Sequence, residues 1–323
     1  MSAPHPKPVV MSEDATVPVV PDHEMLRRIG RGSSGQVWLA RNALGSYRAI
    51  KVVRADAFRH RRPFEQEFEG IHKFEPLSRS HDGLVDVLQV GFNETGEYFY
   101  CVMELADDVF SGQQISPETY QPRTLAQDRR RLHRLPIEEC VRLGAAVASA
   151  LSFLHKHGLT HRDVKPSNII FVGGIPKLAD IGLVTDVTEI KSFIGTEGFI
   201  PPEGSGSEQA DVYALGKVLY EVSTGNDRQA YPELPADLGN KVERCDFVEM
   251  NKIILRACRA NSSHRYPSAD AMLLALLNFQ FNADALRRKR RMRLLAKGVA
   301  IVGACVAFGV VVSAVWRIIW LSQ

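Results

Sequence analysis

Residues Ile29 to Val37 read IGRGSSGQV and set Gly30, Gly32 and Gly35 in a G-x-G-x-x-G spacing. Lacking a Cβ, glycine lets backbone N–H groups approach an anion closely, so this spacing suits the cradling of phosphates. Two unrelated architectures use it. One is a strand-to-helix turn beneath a dinucleotide pyrophosphate; the other is a hairpin folded over a triphosphate. The first needs a helix directly after the third glycine and an acidic residue about twenty positions on. Here Gly35 is followed by QVWLA, a β-type run, then a turn at NALGS and a second strand-like run, YRAIKVV, that carries Lys51. That is a hairpin, and it excludes the dinucleotide reading.

The surrounding elements extend the pattern. Residues 24–105 read as short strands with one helix, LVDVLQVGF and EYFYCVMEL being two further strands around the turn NETG. Pro63 to Leu77 carries Phe64, Phe68, Ile71 and Phe74 at three- and four-residue spacing, which predicts an amphipathic helix bearing Glu65, Glu67 and Glu69. Beyond about residue 106 the pattern turns helical, over Ile137–His157, Gln209–Thr224, Phe247–Ala260 and Ser268–Phe281. Strands first and helices after predict an α+β domain of two lobes with a cleft between them. Residues 107–135, rich in Ser, Gln and Pro and holding Asp128-Arg129-Arg130-Arg131, interrupt this pattern and predict an exposed insertion or docking surface.

In this order, the motifs resemble those of the protein kinase family, and more narrowly of bacterial eukaryotic-like serine/threonine kinases. After the glycine stretch and RAIKVV comes THRDVKPSNIIF (160–171), similar to the family's catalytic loop, and KLADIGLV (177–184), similar to its metal-binding turn. GTEGFIPPE (195–203) resembles the end of the activation segment, ADVYALGKVLYEVSTG (210–225) the buried helix after it, and NSSHRYPS (261–268) the C-terminal arginine motif. The resemblance covers roughly residues 24–280. It implies a two-lobed kinase fold, with a β-rich N-lobe over 23–105 and a helical C-lobe over 106–282. The implied reaction is transfer of the γ-phosphoryl group of Mg·ATP to serine or threonine hydroxyls of protein substrates, autophosphorylation included.

The resemblance also implies roles. Ile29, Gly30, Gly32, Gly35, Val37, Ala49, Glu104 and Ala106 would contact the nucleotide, Val37 and Ala49 sandwiching adenine. Lys51 would bind the α- and β-phosphates and be held by Glu67, with Glu69 as runner-up. Asp163 would orient or deprotonate the substrate hydroxyl, Lys165 would neutralise the γ-phosphate, and Asn168 and Asp180 would hold Mg²⁺. Lys165 is similar to the residue that marks serine/threonine rather than tyrosine kinases. Arg162 implies control by a phosphorylated activation-segment residue, with Thr185, Thr188, Ser192 and Thr196 as candidates. Of these Thr188 and Ser192 are favoured, because Thr196 is expected to contact Asp163 and Lys165. Glu203 is expected to pair with Arg265, and Asp211 to cap the catalytic loop. Ile181 for Phe, Pro201 for Ala and Phe199 for Tyr depart from the family pattern without removing a charge or ligand. The competing readings are a catalytically weak ATP-binding scaffold and a small-molecule kinase. Retention of Lys51, Asp163, Asn168 and Asp180 argues against the first, and GTEGFIPPE argues against the second.

Bulk properties bound the rest. The 323 residues are 45% hydrophobic and 24% charged with a net charge of +3. Seven of the positive charges lie between Arg287 and Lys297, which leaves the remainder net acidic and excludes a globally basic nucleic-acid binder. Five scattered cysteines without a C-x-x-C pair argue against a zinc site or disulfide framework, fit a reducing compartment and predict buried or neutral thiols. His155, His157 and His161 are close in sequence but are not read as a metal site. Residues 1–22 are Pro-rich and predict a disordered leader. From Gly298 to Trp316 no residue is charged, and as a helix this run would span about 28 Å. Residues 298–321 therefore predict a transmembrane helix, with Trp316 and Trp320 at an interface and almost nothing beyond it. The basic segment 283–297 places the preceding domain on the cytoplasmic side of the plasma (inner) membrane. Signals would then reach the chain through cytosolic partners, the membrane or homodimerisation.

Overall fold

A computed structural model of the chain describes residues 17–32, 35–180, 185–186, 195–235, 237, 241–283 and 285. Its first part is an antiparallel sheet of β1 (His23–Arg31), β2 (Gln36–Asn42), β3 (Tyr47–Arg54), β4 (Val87–Phe92) and β5 (Tyr98–Met103), in the order β1-β2-β3-β5-β4. The β2–β3 turn closes because Asn42 Oδ1 accepts from the N–H groups of Leu44 and Ser46 while Gly45 takes a left-handed φ of 81°. Helix α1 (Arg61–Ser78) lies on this sheet and buries Phe64, Glu67, Ile71 and Phe74 along one stripe. Phe64, Phe68, Phe92 and Phe99 form an aromatic cluster beneath it, with Phe68 and Phe92 centroids 4.6 Å apart.

The second part is helical: α2 (Leu125–Leu132), α3 (Ile137–Lys156), α4 (Glu208–Thr224), α5 (Lys241–Ala257) and a last helix, α6, over residues 269–283. Short strands β6 (Leu159–Thr160) and β9 (Thr185–Asp186) pair with each other, as do β7 (Ile169–Val172) and β8 (Ile175–Leu178). Helix α4 is the platform of this lobe. Val212, Leu215, Val218, Leu219 and Val222 are fully buried, and the helix is apolar nearly all round. Ser207 caps its start by accepting from Ala210 N–H, and Gly225 ends it at φ 78°.

Three expectations are refined. Residues 107–135 are exposed over much of their length, Phe110, Ser111 and 130–133 included, yet they are anchored at buried points. The Asp107 carboxylate accepts from the N–H groups of Gly173 and Gly174, and Asp108 accepts from those of Phe110, Ser111 and Gln121. Tyr120 is buried with its hydroxyl donating 3.0 Å to the Ala106 carbonyl, and Leu125 and Asp128 are buried in α2. A polar composition suggests solvent, but these polar groups are satisfied by main chain, so the segment packs. The leader also ends earlier than residue 22. Val20 is buried, and Val19 exchanges hydrogen bonds with the Tyr98 hydroxyl through both its N–H and its carbonyl. Among the cysteines, Cys101, Cys140 and Cys258 are buried free thiols, whereas Cys245 is free and exposed. Burial pushes the Cys101 and Cys258 thiols up to about 12.

No helix among the described residues is long and apolar enough to cross a membrane. Residues 1–16, Ile181, Cys305, the basic segment beyond 285 and the run 298–321 lie outside the described residues.

Candidate active site

Lys51 sits in the middle of β3 with its side chain buried. Its register opposite Val37 on β2 and Cys101 on β5 aims the ammonium under the glycine hairpin. Lys51 Nζ donates to Glu67 Oε1 at 2.8 Å and to Asp180 Oδ1 at 2.7 Å. Glu67 reaches it because helical spacing puts residue 67 on the stripe of Phe64, Ile71 and Phe74, while Glu65 and Glu69 point to solvent. Burial alone would lower the Lys51 pKa, but Asp180 and Glu67 outweigh it and the value is raised. Conversely, the Lys51 ammonium holds the Asp180 carboxyl below the usual carboxylate range. Asp180 occupies a positive φ of 61°, a conformation uncommon outside glycine in which asparagine and aspartate are enriched.

The three glycines are not equivalent. A Cβ at Gly35 would lie 2.6 Å from the Val52 carbonyl oxygen, so the hairpin itself requires glycine there. Gly30 and Gly32 have room for a side chain, and Gly32 N–H donates 2.8 Å to the Gly35 carbonyl. Val37 and Ile29 are half-buried and Ala49 is buried, on one end of the sheet. Two of the residues expected at the nucleotide are differently engaged. The Glu104 carboxylate takes Lys177 Nζ at 2.6 Å and Asp86 N–H at 2.8 Å, and its own N–H donates to the Asp86 carbonyl at 3.1 Å. The Ala106 carbonyl already accepts from Tyr120.

Across the cleft, the loop 161–168 collects the second set. Asp163 Oδ1 accepts from Thr196 Oγ1 at 2.9 Å, and Oδ2 accepts from Lys165 Nζ at 2.6 Å and Asn168 Nδ2 at 3.0 Å. Lys165 Nζ also donates to Thr196 Oγ1 at 2.9 Å. This loop is held from below by Asp211 on α4. Its Oδ1 accepts from Arg162 N–H and its Oδ2 from His161 N–H, both at 2.8 Å, while His155 Nε2 lies 2.9 Å from Oδ2. Arg162 has φ 67°, so the carboxylate secures a turn that is costly by itself. Glu203 and the buried Arg265 form a two-point pair, and Arg265 Nε donates to the Arg259 carbonyl. The three histidines do not converge. His157 turns to the Phe153 carbonyl and His161 Nε2 to that of Ala179. Among the described residues no His, Cys, Asp or Glu group of three could hold a metal ion.

A divalent ion fits a smaller donor set. Asn168 Nδ2 is spent on the carbonyl and carboxylate of Asp163, which turns its Oδ1 away as an acceptor beside Ser167. With the Asp180 carboxylate this makes two oxygen donors, and Mg²⁺ accepts few protein oxygens together with phosphate oxygens.

A paired lysine and glutamate above, an Asp-x-Lys loop below and an aspartate between them match a known sequence family. The model of the protein kinase domain matches residues 23–293. The chain belongs to the protein kinase family. Among its curated relatives are bacterial serine/threonine kinases. It is 28% identical to the serine/threonine-protein kinase PrkC of Bacillus subtilis (strain 168) over 83% of this chain and 42% of that protein. It is 29% identical to PknB of Mycobacterium leprae (strain TN), over 77% of this chain and 41% of that protein, and 29% to PknA of Mycobacterium tuberculosis (strain CDC 1551 / Oshkosh), over 77% and 60%. The chain thus spans about two-fifths of the length of PrkC and PknB.

Within this kinase fold, Thr188 and Ser192 lie outside the described residues, as do the side chain of Thr185 and residues Ser33 and Ser34. Phe199 is buried at its departure from the family pattern, so the ring is kept as packing without a hydroxyl. Sequence reasoning missed two groups. Arg27 on β1 reaches the carbonyls of Pro117 and Tyr120, and Arg228 reaches the segment after Thr196. Neither had a signal, because both are single arginines whose partners are main-chain groups distant in sequence.

Proposed function

We propose that this chain is an active serine/threonine protein kinase that transfers the γ-phosphoryl group of ATP to protein hydroxyls and to itself. The observation that carries this reading is the double anchoring of the cleft: Lys51 paired with Glu67, and Asp163 bonded to Thr196, Lys165 and Asn168. Phosphoryl transfer needs little covalent help and much positioning and charge neutralisation. Lys51 supplies a buried cation for the non-transferred phosphates. Lys165 supplies one beside the carboxylate that orients the acceptor hydroxyl and takes its proton. The Thr196 hydroxyl, donating to Asp163 and accepting from Lys165, fixes both side chains against each other. Bound Mg²⁺, held by Asn168 and Asp180, would supply charge neutralisation between the phosphates. Arg162 beside the catalytic loop would serve a phosphorylated Thr188 or Ser192.

The C-terminal run 298–321 supports a single-pass anchor in the plasma (inner) membrane, with the kinase domain cytoplasmic and the basic segment against the lipid surface. Homodimerisation in that membrane is the simplest route to autophosphorylation. The test of the chemistry is incubation of the full chain with labelled ATP and Mg²⁺ beside Asp163→Asn. Label transfer should fall by about 10²-fold or more in the variant. Equal transfer by both, or none by either while nucleotide is still bound, would replace this reading with that of a scaffold.

A further inference from the structure

The segment that carries Thr196 has a second attachment, from the opposite side of the loop. Arg228 opens a single turn of 3₁₀ helix, Arg228–Ala230, just past the end of α4. Its main chain is pinned to α4 at both ends. Arg228 N–H donates to Glu221 Oε1 at 3.1 Å, and its carbonyl accepts from Lys217 Nζ at 2.9 Å. Lys217 is buried, with its Nζ 4.4 Å from the centroid of the Tyr231 ring. Glu221 is buried and also faces Arg228 Nη1 at 3.4 Å and Arg129 Nη1 at 3.8 Å. The backbone of Arg228 is therefore tied to the most buried helix of the lobe.

From that base the side chain reaches out. Arg228 Nε donates to the Glu197 carbonyl at 2.8 Å, and the guanidinium lies 4.8 Å from the centroid of the buried Phe199 ring. Gly198, between the two, has φ 85°, and a Cβ there would come 2.8 Å from Arg228 Nε. The guanidinium thus fills the space left by the missing side chain and fixes the residues on both sides of it. Thr196, whose hydroxyl meets Asp163 and Lys165, is the next residue toward the N-terminus. On its other side, a Cβ at Gly195 would lie 2.9 Å from the Arg162 carbonyl oxygen, so the chain runs tightly against the catalytic loop there.

We propose that Arg228 is a positioning residue for phosphotransfer, locking residues 197–199 to α4 so that the Thr196 hydroxyl stays in register with Asp163 and Lys165. A planar, charged side chain suits this joint because its Nε–H and its stacking face act at once. A displacement of about 1 Å at the reacting groups costs on the order of 10²-fold in rate, so a clamp one residue from Thr196 has leverage on turnover. This rests on the phosphotransfer reading above, and its test carries a readout that does not.

The experiment uses the full chain as wild type, Arg228→Ala, Arg228→Lys and Gly198→Ala. For each, steady-state phosphorylation of a serine-containing peptide is measured together with amide hydrogen exchange. Arg228→Ala should lower kcat for the peptide by about tenfold or more with KM for ATP unchanged, and speed exchange over 195–201 while 208–224 keeps its protection. Arg228→Lys should not rescue either effect, since an ammonium lacks the Nε–H and the flat face. Gly198→Ala approaches the joint without touching the Lys217 and Glu221 bonds and should give the same pattern. The proposal is overturned if 195–201 exchanges as in wild type, if 208–224 loses protection equally, or if kcat is unchanged while 195–201 loosens. A wild-type chain that binds nucleotide but transfers no phosphate would sink the phosphotransfer reading and, with it, the catalytic role of Arg228. Faster exchange confined to 195–201 would then still establish the clamp itself.

Discussion

The two sides of the cleft solve the same problem, holding charged groups in place, by different means. Lys51, Glu67 and Asp180 come from β3, α1 and the segment after β8, three elements that meet only when the lobes are apposed. Asp163, Lys165 and Asn168 come from one short loop, and that loop hangs from Asp211 on the fully buried α4. The upper set is a junction of three separate elements. The lower set is a fixed surface. A shift of α1 by one turn would break the Lys51–Glu67 pair and leave every bond of the lower set intact, so the upper set is the side on which control can act.

The comparison is broken most severely at Asp211. Its two oxygens serve two main-chain N–H groups and His155, so Asp211→Ala strands buried donors, each costing about 1–3 kcal/mol. Thermal denaturation should show a loss of at least about 3 kcal/mol, with phosphotransfer lost alongside. If Asp211→Ala keeps wild-type stability, α4 is not the platform of the loop.

A change at Lys51 should act on one side only. Lys51→Met is expected to lower phosphotransfer by about 10²-fold while amide exchange over 159–168 stays as in wild type. It should also alter the acid limb of stability. The Asp180 pKa is depressed below its ordinary 3.8 by Lys51, so the stability it contributes is present above that value and is lost as pH falls through the depressed one. Without the cation this depression disappears, and the stability curve of Lys51→Met should be flatter below about pH 4. An acid limb unchanged by the mutation would mean that the ion pair seen here contributes nothing in solution.

What could be read from sequence follows the same division. The lower set was legible almost entirely, because Asp163, Lys165 and Asn168 lie within six residues and their spacing alone puts them on one loop. Glu67 was harder, since Glu65 and Glu69 are chemically identical neighbours. The family pattern favoured it, and the structure shows the physical reason: residue 67 shares the buried stripe of Phe64, Ile71 and Phe74. For residues 107–135 the exposure was legible and the anchoring was not, for a physical reason. Composition reports how polar a segment is, not where its polar groups find partners. Asp107 and Asp108 find theirs in backbone N–H groups at positions 173–174 and 110–121. Glu104 was read as a nucleotide contact, and its carboxylate is held by Lys177, seventy-three positions away, a pairing that no local pattern signals. Arg228 gave no sign at all, because its partners are a carbonyl, a ring and the absence of a Cβ.

Arg27 offers the finest division of the two regions. It lies on β1, the edge strand of the upper sheet, and donates from Nε to the Pro117 carbonyl at 2.6 Å and from Nη2 to the Tyr120 carbonyl. Tyr120 is in turn bonded to Ala106 at the joint between the lobes, and Asp107 next to it is fixed to the β7–β8 turn. One arginine therefore ties the outermost strand of the upper lobe to a segment anchored in the lower one. The bonds are partly exposed and go to neutral carbonyls, so Arg27→Ala should cost only about 1 kcal/mol in thermal stability. Its larger signature should be kinetic. Freed from the strap, β1 and the glycine hairpin that follows it should open more readily, raising KM for ATP by a few-fold while kcat at saturating nucleotide is kept. A fall in kcat with KM unchanged would place the effect of Arg27 in the lower set, and would show that the two sides of the cleft are coupled through residues 106–124 rather than anchored separately.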